Sequence, residues 1–173
     1  MNPDPIAALL DTLADMQARV AGQADRAALR QIVGADTGEM LTGVPASARA
    51  LLIGAQVEGR LSALMRDHPL ASILLLSHAG RPIGLLILDW PSTGPVTLVD
   101  LTLLPELRRR GHGTSALSAL CAVADRFGRS LRARLFYDNP AHRLLDRTGF
   151  VPVGGTVLDI VKERAPVNLP LTC

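Results

Sequence analysis

One stretch of this sequence restricts the possible folds more than any other: an apolar strand that runs into an arginine- and glycine-rich turn and then into a helix. Residues 96–104 are apolar at both sets of alternating positions except for three polar residues, and a strand with two apolar faces belongs in the middle of a sheet. Between Gly113 and Phe127 the apolar residues recur at helical spacing, and Gly128 provides a stop signal. The chain must therefore bring a central strand and a helix together at one tight turn.

The turn between them, residues 108–114 (Arg-Arg-Arg-Gly-His-Gly-Thr), has the chemistry of an anion site. The first N–H groups of a helix have no partner inside the helix, and the helix dipole favours negative charge at that end. Gly111 and Gly113 would let a phosphate approach the main chain, and the arginines add positive charge. The pattern lacks the Lys-Ser/Thr pair of a nucleotide P-loop and the three-glycine spacing of a dinucleotide turn. We therefore expect a phosphate-bearing ligand of another class, in preference to a merely solvated charge run.

The remaining sequence alternates helical and β patterns, as in an α/β domain. Helical spacing occurs within residues 6–33, from Pro45 to about Arg66, and from Asn139 to Gly149. The expected strands are 73–76 and 83–88, which form a hairpin, then 96–104, 131–137, and the two halves of a last hairpin within 150–162. On the helix that follows Pro45, the predicted buried side consists of Leu51, Leu52, Ala55, Leu61, Leu64 and Met65.

Composition limits the class of protein. At 173 residues the chain fits one domain, whose core must be aliphatic because only 3% of the residues are aromatic. A net charge of +2 is too small to attract nucleic acid strongly. Cys121 and Cys173 form no metal or redox motif, and no segment has the pattern of a membrane span or a secretory signal. We expect a cytoplasmic protein without metal, membrane or nucleic-acid partners, either a monomer or a homodimer.

Two blocks of the sequence resemble the acyl-CoA N-acyltransferase family known as GNAT. Arg-x-x-Gly-x-Gly at 108–113, after a central strand, is similar to the loop that binds the acyl-CoA pyrophosphate in that family. Residues 139–150 (Asn-Pro-Ala-His-Arg-Leu-Leu-Asp-Arg-Thr-Gly-Phe) are similar to the family's Asn-x-x-Ala-x-x-Leu-Tyr-x-x-x-Gly-Phe segment. The resemblance runs from about Ile73 to Lys162. Residues 1–45 do not obviously match, and the family's usual first strand is not evident there.

The resemblance implies the GNAT fold, an α/β fold with a mixed, mainly antiparallel sheet of about six or seven strands and helices on both faces. The sheet would be split at its central pair, 96–104 and 131–137. One acetyltransferase domain would cover residues 46–165. A helical segment over 1–45 would pack on it, and a loose tail over 166–173 would follow.

The resemblance also implies acetyl-CoA as the co-substrate and a primary amine of a small molecule or a protein as the acceptor. The pantetheine arm would lie in the split and bond to the main chain like an added strand. The pyrophosphate would lie in the turn, and Asn139 would reach the pantetheine arm or the acetyl end. The residues expected to contact the cofactor are Leu101, Thr102, Leu103, Arg108, Arg109, Arg110, Gly111, His112, Gly113, Thr114 and Asn139.

Direct attack of an amine on a thioester needs a base, a donor to the carbonyl oxygen and an acid for the leaving thiolate. Asp100 is the candidate base, because it is the only carboxylate on the central strand. Alternatively, Asp100 is bonded to a turn or an arginine and only orders the strand. The family often supplies the acid as a tyrosine at the position of Leu145, so this role is vacant or is filled by Tyr137.

Two rival functions remain open from the sequence. A catalytically degenerate domain could bind acyl-CoA as a sensor without turning it over, which the leucine at position 145 and the missing first strand both suggest. A nucleic-acid binder could use the arginine run, and its affinity for a duplex should fall steeply as salt rises.

Overall fold

The computed structural model describes residues 4–41 and 43–167, with the side chains of residues 36–40 excepted. The helices within these residues are α1 (Pro5–Thr12), α2 (Arg26–Met40), α3 (Ala46–Asp67), α4 (His112–Arg126) and α5 (His142–Arg147). The strands are β1 (Arg19–Val20), β2 (Ser72–His78), β3 (Arg81–Asp89), β4 (Val96–Leu103), β5 (Leu131–Phe136), β6 (Val151–Gly155) and β7 (Asp159–Arg164).

The seven strands form one mixed sheet in the order β1-β2-β3-β4-β5-β7-β6. Every neighbouring pair is antiparallel except β4 and β5, which are parallel over only three residue pairs. The strand with two apolar faces, β4, is thus the fourth of seven. The predicted fold class, with its split at the central pair, is confirmed.

Two apolar layers hold the sheet, one on each face. On the first face, α1, α4 and α5 pack against side chains of β2 to β5. On the second face, α2 and α3 pack against side chains of β2, β3 and β4 only. Helices therefore lie on both faces, as predicted, but the second layer does not extend to β5.

The first strand that was not evident in the sequence is present as two residues. Arg19 and Val20 pair with Leu75 and Leu74 of β2 at the edge of the sheet. A strand of this length has no detectable alternation, because period-2 patterning needs at least four residues to be recognised. The N-terminal segment packs on the domain, since Leu9 of α1 is fully buried in the first layer.

The predicted buried side of α3 is wrong at four of its six positions. Leu51, Leu52, Ala55 and Met65 are exposed, whereas Leu61 and Leu64 pack against the second layer. The contacting side is completed by Ile53 and Val57, which lie on the same side of the helix as Leu61. Several apolar sides of a helix can satisfy the same spacing, so the position of the sheet decides which one is buried.

A buried ion pair ties the C-terminal end of the sheet to α4. Arg164 of β7 donates to both carboxylate oxygens of Asp125, at 2.7 and 2.8 Å. Arg164 Nε also donates to the Thr148 carbonyl after α5. The Val167 N–H donates to Asp125, so the start of the predicted loose tail is bonded, and residues 168–173 lie outside the described residues. The bonds from Arg164 hold the pKa of Asp125 below its usual range, outweighing the effect of burial.

The Asp125→Asn variant is expected to lose about 3 kcal/mol of unfolding free energy, because it leaves the Arg164 charge buried without its partner. Since the pKa of Asp125 is lowered in the folded protein, its contribution is complete at neutral pH and is lost as pH falls below about 4. Urea unfolding of both proteins at pH 7 and pH 3 measures this difference, which should shrink at the lower pH.

The control is Arg132→Gln, which breaks a more exposed pair with Glu163. That change should cost less than about 1 kcal/mol. Equal losses for the two variants would contradict the structural role given to the Asp125 pair.

Candidate active site

A bulge in β4 sets the direction of its side chains. Consecutive residues of β3 pair with Asp100 and Leu98, so Val99 has no partner. Such an extra residue disrupts the ladder locally and re-aims the side chains around it. Leu98 lies in the layer with α4, whereas Val99 packs against the other layer and Asp100 contacts Arg60 of α3. Strict alternation from Leu98 would instead direct Asp100 into the α4 core.

The two central strands separate next to this bulge. Their pairing ends at Leu98 and Ala133, although β4 continues to Leu103 and β5 continues to Phe136. In the described chain, the edge of β4 over residues 99–103 therefore has no strand partner on the β5 side. Main-chain N–H and C=O groups require hydrogen bonds, so an extended ligand that carries amide groups can pair with this edge.

The turn after β4 passes through two left-handed residues, Arg109 (φ 60°) and Gly111 (φ 90°). Helix α4 begins directly after Gly111, and no described side chain caps it. The Ser115 N–H donates to the Gly111 carbonyl at 2.9 Å, so the N–H groups of residues 112–114 precede the first turn of hydrogen bonds. A Cβ at Gly111 would meet no atom within 4 Å. The helix end is therefore open to an anion.

Gly113 brings the two sequence blocks into contact. A Cβ at this position would lie 3.6 Å from Leu103 at the end of β4 and 3.6 Å from Leu144 in α5. Helix α4 therefore starts beside both the split strand and the helix of the second block. The turn, the end of β4 and α5 therefore lie side by side.

The three arginines of the turn do not act alike. Arg108 Nε donates to the Leu103 carbonyl at 3.0 Å, which draws the turn onto the end of β4. Arg109 and Arg110 are exposed, as is Thr114 at the start of α4. Two of the three guanidinium groups therefore contribute charge at the surface of the helix end, and the third shapes the turn.

A pair of histidines adjoins the turn and was not anticipated from the sequence. The ring of His112 lies 5.5 Å from that of His78 at the end of β2. Both rings line a pocket of about 250 Å³ together with Asp15 and Ser115. Only the sheet brings β2 beside α4, so no local pattern could have revealed this neighbour. In the described ranges, no group of His, Cys, Asp and Glu side chains has the arrangement of a metal site.

Asp100 is held by two partners in the structure. Its Oδ2 accepts a hydrogen bond from Arg60 of α3 at 2.6 Å, and its Oδ1 accepts one from the Thr102 hydroxyl at 2.9 Å. Its side chain is 16% exposed. A bond to an arginine was part of the alternative interpretation from the sequence, in which Asp100 only orders the strand.

Tyr137 and Asn139 follow β5, and the side chain of each makes one hydrogen bond to the main chain. The Tyr137 hydroxyl donates to the Thr156 carbonyl at 3.3 Å, and its residue is 59% exposed. The Asn139 side-chain oxygen accepts the Ala141 N–H at 2.9 Å. Asn139 therefore caps the turn that precedes α5, which begins later than the sequence predicted.

A match to a family profile decides the family. The profile of the acetyltransferase (GNAT) family matches residues 48–150, more than half of the chain. The chain belongs to this family. The match includes the turn over residues 108–114 and the whole of the second sequence block, and it begins within α3.

Solved GNAT structures share the fold at low sequence identity. PaiA N-acetyltransferase from Thermoplasma acidophilum, in complex with coenzyme A, has a TM-score of 0.65 at 16% identity, covering 86% of this chain and 97% of that one. An acetyltransferase from Thermus thermophilus has a TM-score of 0.63 at 24% identity, covering 86% and 95%. YncA from Salmonella typhimurium, solved with its cofactor acetyl-CoA, has a TM-score of 0.57 at 22% identity, covering 92% and 99%.

No curated protein sequence matches this GNAT chain. None of the helices in the described part of the chain combines the length and apolarity needed to cross a membrane.

The close approach of β3 to the split end of β4 depends on Gly84. A Cβ there would lie 2.4 Å from the Thr102 carbonyl oxygen and 2.5 Å from Leu103 Cδ2. Gly84→Ala should therefore destabilise the domain by about 1–3 kcal/mol. Thermal and urea unfolding measure the effect. Gly54→Ala is the control, because its Cβ meets nothing within 4 Å in α3 and should stabilise the helix by about 0.5–1 kcal/mol. Unchanged stability of Gly84→Ala would contradict this close approach.

Proposed function

We propose that this chain binds acetyl-CoA and transfers the acetyl group directly to a primary amine. The proposal is carried by the split between β4 and β5, which opens beside an uncapped helix N-terminus whose Gly111 turn is unobstructed. An extended amide-bearing arm attached to a diphosphate fits both features. The GNAT neighbours solved with coenzyme A and with acetyl-CoA support the same assignment.

In this proposal the main-chain N–H groups of residues 112–114 hold the pyrophosphate, and the exposed arginines 109 and 110 add charge. The free edge of β4 over 101–103 binds the pantetheine arm. Asn139 uses its side-chain oxygen as a cap, so its amide nitrogen is the end that donates to the arm.

When bound, acetyl-CoA supplies the thioester carbonyl that the amine attacks. The chain contributes by holding the reactants in position, which accounts for much of the rate enhancement in reactions of this kind. An N–H group of the free β4 edge donates to the carbonyl oxygen as negative charge develops. Asp100, at the bulge next to this edge, receives the amine proton, or it only orders the strand through its bond with Arg60.

The leaving thiolate needs a proton, and Leu145 cannot supply it. Leu145 is 2% exposed and lies in the core between α5 and the sheet. Tyr137 is the candidate acid, and it must release the Thr156 carbonyl to act. This lack of a dedicated acid favours one rival, an acyl-CoA sensor. Calorimetry with acetyl-CoA together with a thiol-release screen separates the two: tight binding without CoA release across a broad amine panel identifies a sensor.

Gly111→Glu should abolish acetyl-CoA binding without unfolding the domain, because it places an anion where the diphosphate must lie. Isothermal calorimetry and circular dichroism measure the two effects. Gly94→Glu is a matched control, since Gly94 has a similar φ of 80° and equally open surroundings at the other end of β4. Unchanged affinity in folded Gly111→Glu would refute the assigned diphosphate site.

Asp100→Asn should lower kcat at least about tenfold with near-normal affinity for acetyl-CoA. Arg60→Gln separates the two roles of Asp100. If Asp100 is the base, Arg60→Gln retains most activity and shifts the pH profile; if Asp100 only orders the strand, both variants lose activity together. Full activity of Asp100→Asn would remove Asp100 from the mechanism.

A further inference from the structure

On the face that carries Asp100, the described residues place no helix layer over β5 and β7. The layer of α2 and α3 covers β2, β3 and β4, and directly opposite residues of antiparallel strands share a face. We call the uncovered part the open face. It is formed by Arg132, Arg134 and Phe136 of β5 and by their partners Glu163, Val161 and Asp159 of β7.

The open face begins at the split. Arg134 is the first residue of β5 beyond Ala133, where the pairing with β4 ends. Across the gap, Asp100 and Arg60 lie on the same side of the sheet. An amine that reaches the split from this side has β5 and β7 beside it, on the flank opposite α3.

The carboxylates of this region already have arginine partners. Asp100 pairs with Arg60 at 2.6 Å, Glu163 with Arg132 at 2.9 Å, and Asp159 with Arg134 at 3.5 Å. A polycationic acceptor is recognised by carboxylates whose charge is not neutralised. The carboxylates of the open face itself, Glu163 and Asp159, are thus balanced by arginines, which does not favour a polyamine or an aminoglycoside.

Several apolar side chains of β5, of β6 and of the turn before β7 are exposed. Phe136 is 63% exposed and Leu158, in the turn before β7, is 68% exposed. Val151 of β6 lies opposite Glu163 and is 57% exposed. Small-molecule sites bury about 70–90% of their ligand, which an open sheet face cannot do. Exposed apolar groups with a polar surround are typical of surfaces that bind macromolecules.

We propose that the acceptor amine belongs to a polypeptide, as its N-terminus or a lysine side chain, and that the adjoining residues lie across the open face. This inference rests on the proposed function. Phe136 contacts an apolar side chain of the acceptor. The paired charges hydrogen-bond to its polar groups without requiring a particular net charge.

In the test, the full chain is supplied with acetyl-CoA and, in separate reactions, with three classes of acceptor. They are a lysine-free hexapeptide pool with free N-termini, an N-terminally blocked pool that contains lysine, and small amines represented by spermidine, an aminoglycoside and free amino acids. CoA release and the mass of the product are measured. One peptide pool should be used with a kcat/KM at least about tenfold above every small amine, and which pool it is identifies the type of amine.

Phe136→Ser should raise KM for that pool about tenfold while the Kd for acetyl-CoA stays unchanged. The matched control is Val20→Ser, an exposed apolar residue (51%) in β1 at the opposite edge of the sheet, which should change neither quantity. Preference for a small amine would overturn the inference and leave the acetyltransferase proposal standing. Equal KM values for both variants would also overturn the inference.

Absence of transfer to any acceptor would count against the proposed function. Fluorescence anisotropy with labelled peptide pools in the presence of CoA then decides the inference by itself. Binding that Phe136→Ser weakens and Val20→Ser does not would support the open face as a polypeptide site, and no binding to the wild-type chain would refute it.

Discussion

The separation of β4 from β5 is the constraint on which the site depends. Parallel strands normally continue pairing because each main-chain N–H and C=O group needs a partner. Here pairing stops after Leu98, next to a bulge at Val99, and both strands continue apart. A fold can maintain such a gap only if each strand is held from its other side. β3 holds β4, with Gly84 allowing close contact, and β7 holds β5 along its full length.

The bulge also separates two kinds of chemistry. Beyond it, Leu101 and Leu103 complete the apolar layer beneath α4, while Asp100 and Thr102 form a polar network with Arg60 on the other face. One inserted residue thus turns Asp100 and Thr102 away from the α4 layer, to the side of β4 that faces Arg60. The proposed donor enters from the helix end of the split, and the proposed acceptor approaches from the open face.

The anchoring of α4 explains how its N-terminus can remain uncapped. Its apolar side is buried along most of its length, and Asp125 near its end is bonded to Arg164 of β7. A helix fixed in this way does not need a local cap for stability, so its first N–H groups remain available to a ligand. Asp125 also accepts a hydrogen bond from the Val167 N–H, so one carboxylate connects α4, β7 and the segment that follows β7.

Much of this molecule is determined by its sequence alone. Apolar periodicity located α3, α4 and the strands from β2 to β7, and residues 108–113 and 139–150 indicated the family, because these features depend on neighbours within a few positions. Tertiary packing decided the rest. The side of α3 that is buried, the two-residue β1, the meeting of His78 with His112 and the pairing of Asp100 with Arg60 all join residues distant in sequence. Local spacing carries no information about such partners, since only the folded sheet determines which faces and ends come together.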